Sequence, residues 1–215
     1  MTDYKTYNGD KYKNAYKKRL DTFNRIQNTI AAKYASDNNI VSHYLKNDES
    51  IPIWAIFEII TLGEFGNLIS TLNLKIRKSL SKDLGFNIAF DSNGILVEST
   101  IFVLKDLRNS IAHNNVIFDT RFRERNIKKV LTKAIQNDTG IQNLDFKSIT
   151  DYLIFVGYVL KKLDKSNKEI IKVINDYLKY TNSLKENIDK SIYDQIVFTY
   201  DEQKLKSFIN FLKKK

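Results

Sequence analysis

Leu96-Val97-Glu98-Ser99-Thr100-Ile101-Phe102-Val103-Leu104-Lys105-Asp106-Leu107-Arg108-Asn109-Ser110-Ile111-Ala112-His113 reads as one amphipathic helix. Ile101, Leu104, Leu107 and Ile111 recur at steps of three and four, the spacing that aligns one face of an α-helix. An apolar stripe turned to a core is expected, and with it a helical protein. At roughly 100° per residue, Asn109 and His113 stand four apart and share a face. That face points off the stripe, with Arg108 between the two surfaces. Asn109 and His113 are therefore expected to meet solvent, a ligand or another protein surface. Asn114-Asn115 follows as a helix stop.

A histidine that titrates near 6.5 passes protons both ways at neutral pH. An arginine keeps its charge and offers a forked set of donors matched to phosphate oxygens. Together they suit phosphoryl-transfer chemistry without a metal: the imidazole moves protons and the guanidinium holds charge that develops in the transition state. A histidine near a helix end also has a plainer use, capping carbonyls and complementing the dipole. The helix alone leaves both readings open.

Around this stretch the chain reads as helices throughout. One proline and seven glycines in 215 residues favour long helices over turn-rich β structure. After a lead-in at residues 1–10, residues 11–35 form a helix with Tyr12, Ala15, Tyr16, Leu20, Phe23, Ile26, Ile30 and Tyr34 at helical spacing. Residues 40–45 form a short segment in which His43 has tyrosine and aliphatic neighbours, a packing context. Pro52 opens a helix over 53–72. It is expected to be the central core helix, burying Trp54, Ile56, Phe57, Ile60, Phe65, Leu68 and Ile69. Glu58 is a carboxylate inside that apolar run, either facing solvent or a partner, or orienting an Arg108/His113 site. Gly63 and Gly66 allow close helix contact. Further helices are expected over 74–84, 124–136, 148–163, 167–190 and 201–215. Residues 193–199 are β-prone but too isolated for a strand. The expected architecture is all-α: a single domain over 11–215 with additional C-terminal helices.

Lys and Arg number 35 against 25 Asp and Glu, a net charge of +10. Such an excess favours polyanionic partners, chiefly nucleic acid or an acidic membrane surface; a lysine-rich proteome would give the same balance. With no cysteine, disulfides and thiolate metal sites are excluded, and two histidines argue against a histidine-rich metal centre. The polar first ten residues lack the apolar core of a secretory signal, and no apolar run reaches membrane-spanning length. A soluble, cytoplasmic protein without membrane partner or cofactor is expected. No Walker loop, Gly-x-Gly-x-x-Gly or Ser/His/Asp order is present.

Three blocks carry a resemblance. Ile51-Pro52-Ile53-Trp54-Ala55-Ile56-Phe57-Glu58, followed by Thr61-Leu62-Gly63-Glu64-Phe65-Gly66, resembles a hallmark of the Abi family of bacterial abortive-infection proteins, close to its AbiD/AbiF branch. Leu107 through His113 resembles that family's second hallmark. Arg108-Asn109-x-x-x-His113 is similar to the Arg-x4-His signature of the HEPN superfamily of helical ribonuclease domains.

The resemblance implies a homodimer of helical bundles whose two motifs face one composite cleft. It implies a toxin-like antiviral endoribonuclease that cleaves RNA by attack of the ribose 2′-OH, without metal or cofactor. Carried over, His113 transfers protons, Arg108 stabilises the phosphorane and Asn109 orients His113 or the phosphate. Glu58 sets the arginine. The basic run Arg121, Arg123, Arg125, Lys128 and Lys129 would hold the RNA backbone. The alternative is a non-catalytic RNA-binding protein that holds a structured non-coding RNA.

Overall fold

The computed structural model describes residues 9–117, 120, 122 and 126–214. Among the described residues are eleven α-helices, one short 3-10 turn and no strand. The fold is all-α. The helices are α1 (Asp10–Ala35), α2 (Asn39–Lys46), α3 (Ile53–Ile59), α4 (Leu62–Thr71), α5 (Leu74–Asp83), α6 (Leu96–Ala112), α7 (Lys129–Thr139), α8 (Ile149–Lys162), α9 (Asn167–Asn187), α10 (Lys190–Ile196) and α11 (Asp201–Lys213). Two compact units emerge: Met1–Ser79 with Asn93–Phe102, and Leu80–Ser92 with Val103–Lys215.

In the first unit α1 packs on α2, α3 and α4. The helix expected over 53–72 is in fact two. Ile60 and Thr61 are extended, with ψ of 152° and 159°, and break it. The reason lies in Thr61-x-x-Glu64, a capping box: the Thr61 hydroxyl accepts from the Glu64 N–H at 3.2 Å, and the Glu64 carboxylate accepts from the Thr61 N–H at 2.7 Å. The other Glu64 oxygen accepts from the Thr29 hydroxyl at 2.5 Å, tying α4 to α1. Burial works to raise the Glu64 carboxyl, but these hydrogen bonds and Arg25 hold it below its usual range.

The break also changes what is buried. A two-turn α3 turns Ala55 and Ile59, one helical turn apart, inward. Ile53, Trp54 and Phe57 are exposed. So α3 is not the central core helix. Trp54 instead lies edge-on to Tyr44 and Phe57 edge-on to Phe65. Gly66 does permit a close approach: a Cβ there would stand 3.1 Å from both Ile101 and Phe102.

The second unit is built around α8, which packs on α9 and α11. Tyr152, Ile154, Phe155 and Tyr158 of α8, Phe146 before it and Phe208 of α11 are all buried. Each contributes about 2 kcal/mol by leaving water. Gly157 lets α11 close on α8, because a Cβ would come within 2.6 Å of Phe208. Helix α7 starts at Lys129 and runs to Thr139, later at both ends than the expected 124–136. Gly140, in the left-handed region at φ 75°, ends it. The helix expected over 167–190 stops at Asn187. Asp189 then caps α10, so much of the β-prone 193–199 segment is helical. Burial pushes the Asp151 carboxyl above its usual range, although Lys204 and the Phe146 and Asp145 N–H groups all bond to it.

Candidate functional site

Helix α6 carries the candidate residues at its C-terminal end, and of the expected stripe Ile101 and Leu107 are buried and Leu104 half-buried, while the line departs from it at Ile111. Leu96, Thr100, Val103, Leu107 and Ser110 run along the buried face at steps of four and three, flanked by the buried Val97, Ile101 and Asp106, while Ile111 is 56% exposed. The physical reason is hydroxyl satisfaction. Thr100 and Ser110 donate to the carbonyls of Leu96 and Asp106, four residues back, at 2.9 and 3.0 Å. With their polar groups closed on the helix itself, they pack as small apolar residues.

On the other side of this line Arg108 and His113 are exposed and Asn109 is partly exposed. That agrees with the expected placement of Asn109 and His113 away from the core. The Arg108 guanidinium donates to the Asn109 carboxamide oxygen at 3.0 Å. One anchored N–H leaves the rest of the five-donor fork available.

The helix end is built by backbone. Asn114, at φ 52°, takes the left-handed position. Its N–H donates to Ile111 at 3.1 Å, and the Asn115 N–H donates to Ser110 at 2.9 Å. This is a Schellman stop, with asparagine where glycine is usual. The His113 N–H meets the Asn109 carbonyl at 3.0 Å. The His113 bond continues the helical ladder, and the carbonyls of Ser110 and Ile111 are thus capped by backbone without an imidazole.

The remaining candidates fall in several places. Glu58 is exposed on α3, in the first unit, whereas Arg108, Asn109 and His113 belong to the second. Lys128 is the N-cap of α7 and Lys129 its first residue, both exposed. Arg121, Arg123 and Arg125 lie outside the described residues. Phe122, between Arg121 and Arg123 in sequence, packs on Tyr152 with ring centroids 5.1 Å apart, and Thr120 is buried. His43 is exposed, its ring edge-on to Tyr44 at 5.1 Å.

Among the described residues no group of three or more His, Cys, Asp or Glu is arranged to hold a metal. No helix among them is long and apolar enough to cross a membrane. Compared with known proteins, residues 1–119 match the family model described as Abi-like protein. No curated protein and no solved structure matches.

Proposed function

Because the chain belongs to the Abi-like protein family, we propose that it serves abortive-infection defence against phage as a HEPN-type, metal-independent endoribonuclease. Its reacting groups are Arg108 and His113. An imidazole takes the proton of a ribose 2′-OH, whose oxygen attacks the adjacent phosphorus. The P–O5′ bond breaks, and the leaving oxygen is protonated by a second imidazole. The products are a 2′,3′-cyclic phosphate and a 5′-OH. Base and acid come from the two copies of His113 in a homodimer, since the chain holds one Arg-x4-His motif. Arg108 stabilises the pentacoordinate phosphorane, held in line by Asn109.

The observation that carries this reading is the α6 terminus. Asn114 and Asn115 cap it, leaving the His113 imidazole exposed at the same helix end as the anchored Arg108 fork. Lys128 and Lys129 support RNA binding. Cations at the positive end of a helix dipole destabilise the helix, so their use is better sought in an anion.

The test is incubation of wild type and His113→Ala with labelled single-stranded RNA in EDTA, with the product ends analysed. Cleavage to cyclic phosphate ends by wild type, reduced about 10²- to 10⁴-fold in the variant at unchanged melting temperature, is expected. Equal cleavage by both proteins removes His113 from the chemistry. Intact RNA in both lanes, with one discrete RNA retained in a salt-dependent way, turns the assignment to a non-catalytic RNA-binding protein.

A further inference from the structure

Beyond residue 119, where the family match ends, the second unit contains a cavity of about 450 Å³. One wall is the turn that follows α7. The other runs from Phe198 into the first turns of α11. We propose that this cavity takes a single unstacked nucleobase.

The lining has the chemistry a base requires. Phe198 and Tyr200 are 43% and 70% exposed at its edge, aromatic faces that a purine or pyrimidine can stack on. Gln142, Asn143 and Gln203 bring three carboxamides to the same space, all on exposed residues. A carboxamide presents a donor and an acceptor side by side, the pattern that pairs with a base edge. The size falls within the range of small-molecule sites.

The charge pattern selects against an anion. Lys204 is the ammonium of the lining, and Asp151 engages it at 2.8 Å. Asp201 and Asp145, the latter with the Lys147 ammonium 3.7 Å away, add carboxylates to the walls. A phosphate would meet repulsion there, whereas a neutral base would not.

The walls are fixed before any ligand arrives. The buried Asp151 carboxylate accepts from the Asp145 and Phe146 N–H groups at 3.0 and 2.9 Å, which holds the 140–146 loop against α8. Asp201, also buried, accepts from the Ser148 hydroxyl and the Phe198 N–H at 3.1 and 3.2 Å. Asn143 and Phe146 both sit at positive φ, 58° and 59°. That conformation is strained for a bulky residue such as phenylalanine and is sustained here by those bonds. A rigid slot with polar tips spends little entropy on binding.

The inference rests on the RNA reading only for the source of the base, and its test does not involve cleavage. The full chain is titrated calorimetrically with adenosine, guanosine, cytidine and uridine, and with ribose 5-phosphate. At least one nucleoside should bind and ribose 5-phosphate should not. Tyr200→Ala should weaken binding roughly tenfold with the melting temperature unchanged. Gln203→Leu should change the order of preference among bases. Lys172→Ala, a change at an exposed residue of α9 that does not line the cavity, and His113→Ala should bind as wild type. No nucleoside binding at millimolar concentration, binding indifferent to Tyr200→Ala, or preference for ribose 5-phosphate would each overturn the proposal. A His113→Ala protein that binds nucleosides normally while cleavage is absent in wild type would leave the pocket standing and remove the nuclease.

Discussion

Lys204→Met tests whether the buried Asp151–Lys204 pair organises the second unit. In the wild type the Asp151 side chain is 0% exposed and that of Lys204 15%. Removing the ammonium leaves a buried carboxylate with two backbone N–H donors and no cation. Breaking such a pair from one side costs about 3–5 kcal/mol, and the two remaining donors put this case near 3 kcal/mol. For a chain of this size that is a fall in melting temperature of roughly 6–12 °C. The pH dependence has a definite sign. Burial already holds the Asp151 carboxyl above its ordinary range, and losing Lys204 raises it further. A raised folded value favours the protonated folded form, so the stability it confers is present at low pH and is lost as pH rises through that value. The deficit of Lys204→Met should therefore be largest at neutral pH and shrink as pH falls towards the ordinary aspartate range. Asp151→Asn combined with Lys204→Met keeps an acceptor for both N–H groups and removes both charges. It should lose less than the single variant and show no such pH dependence. Thermal unfolding across that pH range is the assay. An unchanged melting temperature at neutral pH, or a deficit that does not shrink on acidification, would refute the reasoning.

Gly157→Ala should lose about 1–2 kcal/mol, because the overpacking of a Cβ 2.6 Å from the buried Phe208 ring outweighs the helix propensity gained. A rise in melting temperature would mean that α8 and α11 are not packed this closely. Thr61→Ala should cost about 1 kcal/mol as a lost N-cap. Glu64→Gln should flatten the acid limb of stability: the depressed Glu64 carboxyl gives stability above its unfolded pKa, lost as pH falls through its folded value. An unaltered acid limb would mean that this carboxylate does not link α4 to α1.

The helices whose termini carry strong local signals were legible from sequence. Asn114-Asn115 read as a stop and is one, and α8 and α11 lie close to their expected bounds. Two kinds of information were hidden. One is the competition between apolar pattern and capping chemistry. The 53–72 run reads as continuous when hydrophobic residues are counted, yet Thr61 and Glu64 satisfy each other's backbone N–H and start a new helix. The other is the way a hydroxyl disappears into its own helix. Thr100 and Ser110 look polar as letters and behave as small core residues, so the buried line of α6 was drawn through Ile111 when it belongs on Ser110. The error turned the stripe without moving Arg108, Asn109 or His113 off the exposed side. The cavity between the 140–146 loop and α11 had no sequence signal, because its two walls are more than fifty residues apart and only tertiary packing brings them together.

On the proposed function, a proton-transferring histidine at the end of a helix poses an electrostatic problem. The last turn of α6 carries partial negative charge, so a phosphate brought to His113 is disfavoured by the helix that presents it. The free carbonyls there are reduced by the Schellman bonds from Asn114 and Asn115, which lessens the repulsion without using the imidazole. Arg108 adds a permanent positive charge one and a half turns back along the same helix, and its bond to Asn109 reduces the entropy lost when the fork meets an anion. Lys128 and Lys129 sit at the opposite kind of terminus, the start of α7, where dipole and ammonium groups act with the same sign on a phosphate. On the proposed function the labour divides: the α7 terminus captures the backbone, and the α6 terminus transfers the protons. Affinity for RNA should then survive changes at His113 and fall with charge removal at Lys128 and Lys129, which is why cleavage and binding have to be measured separately.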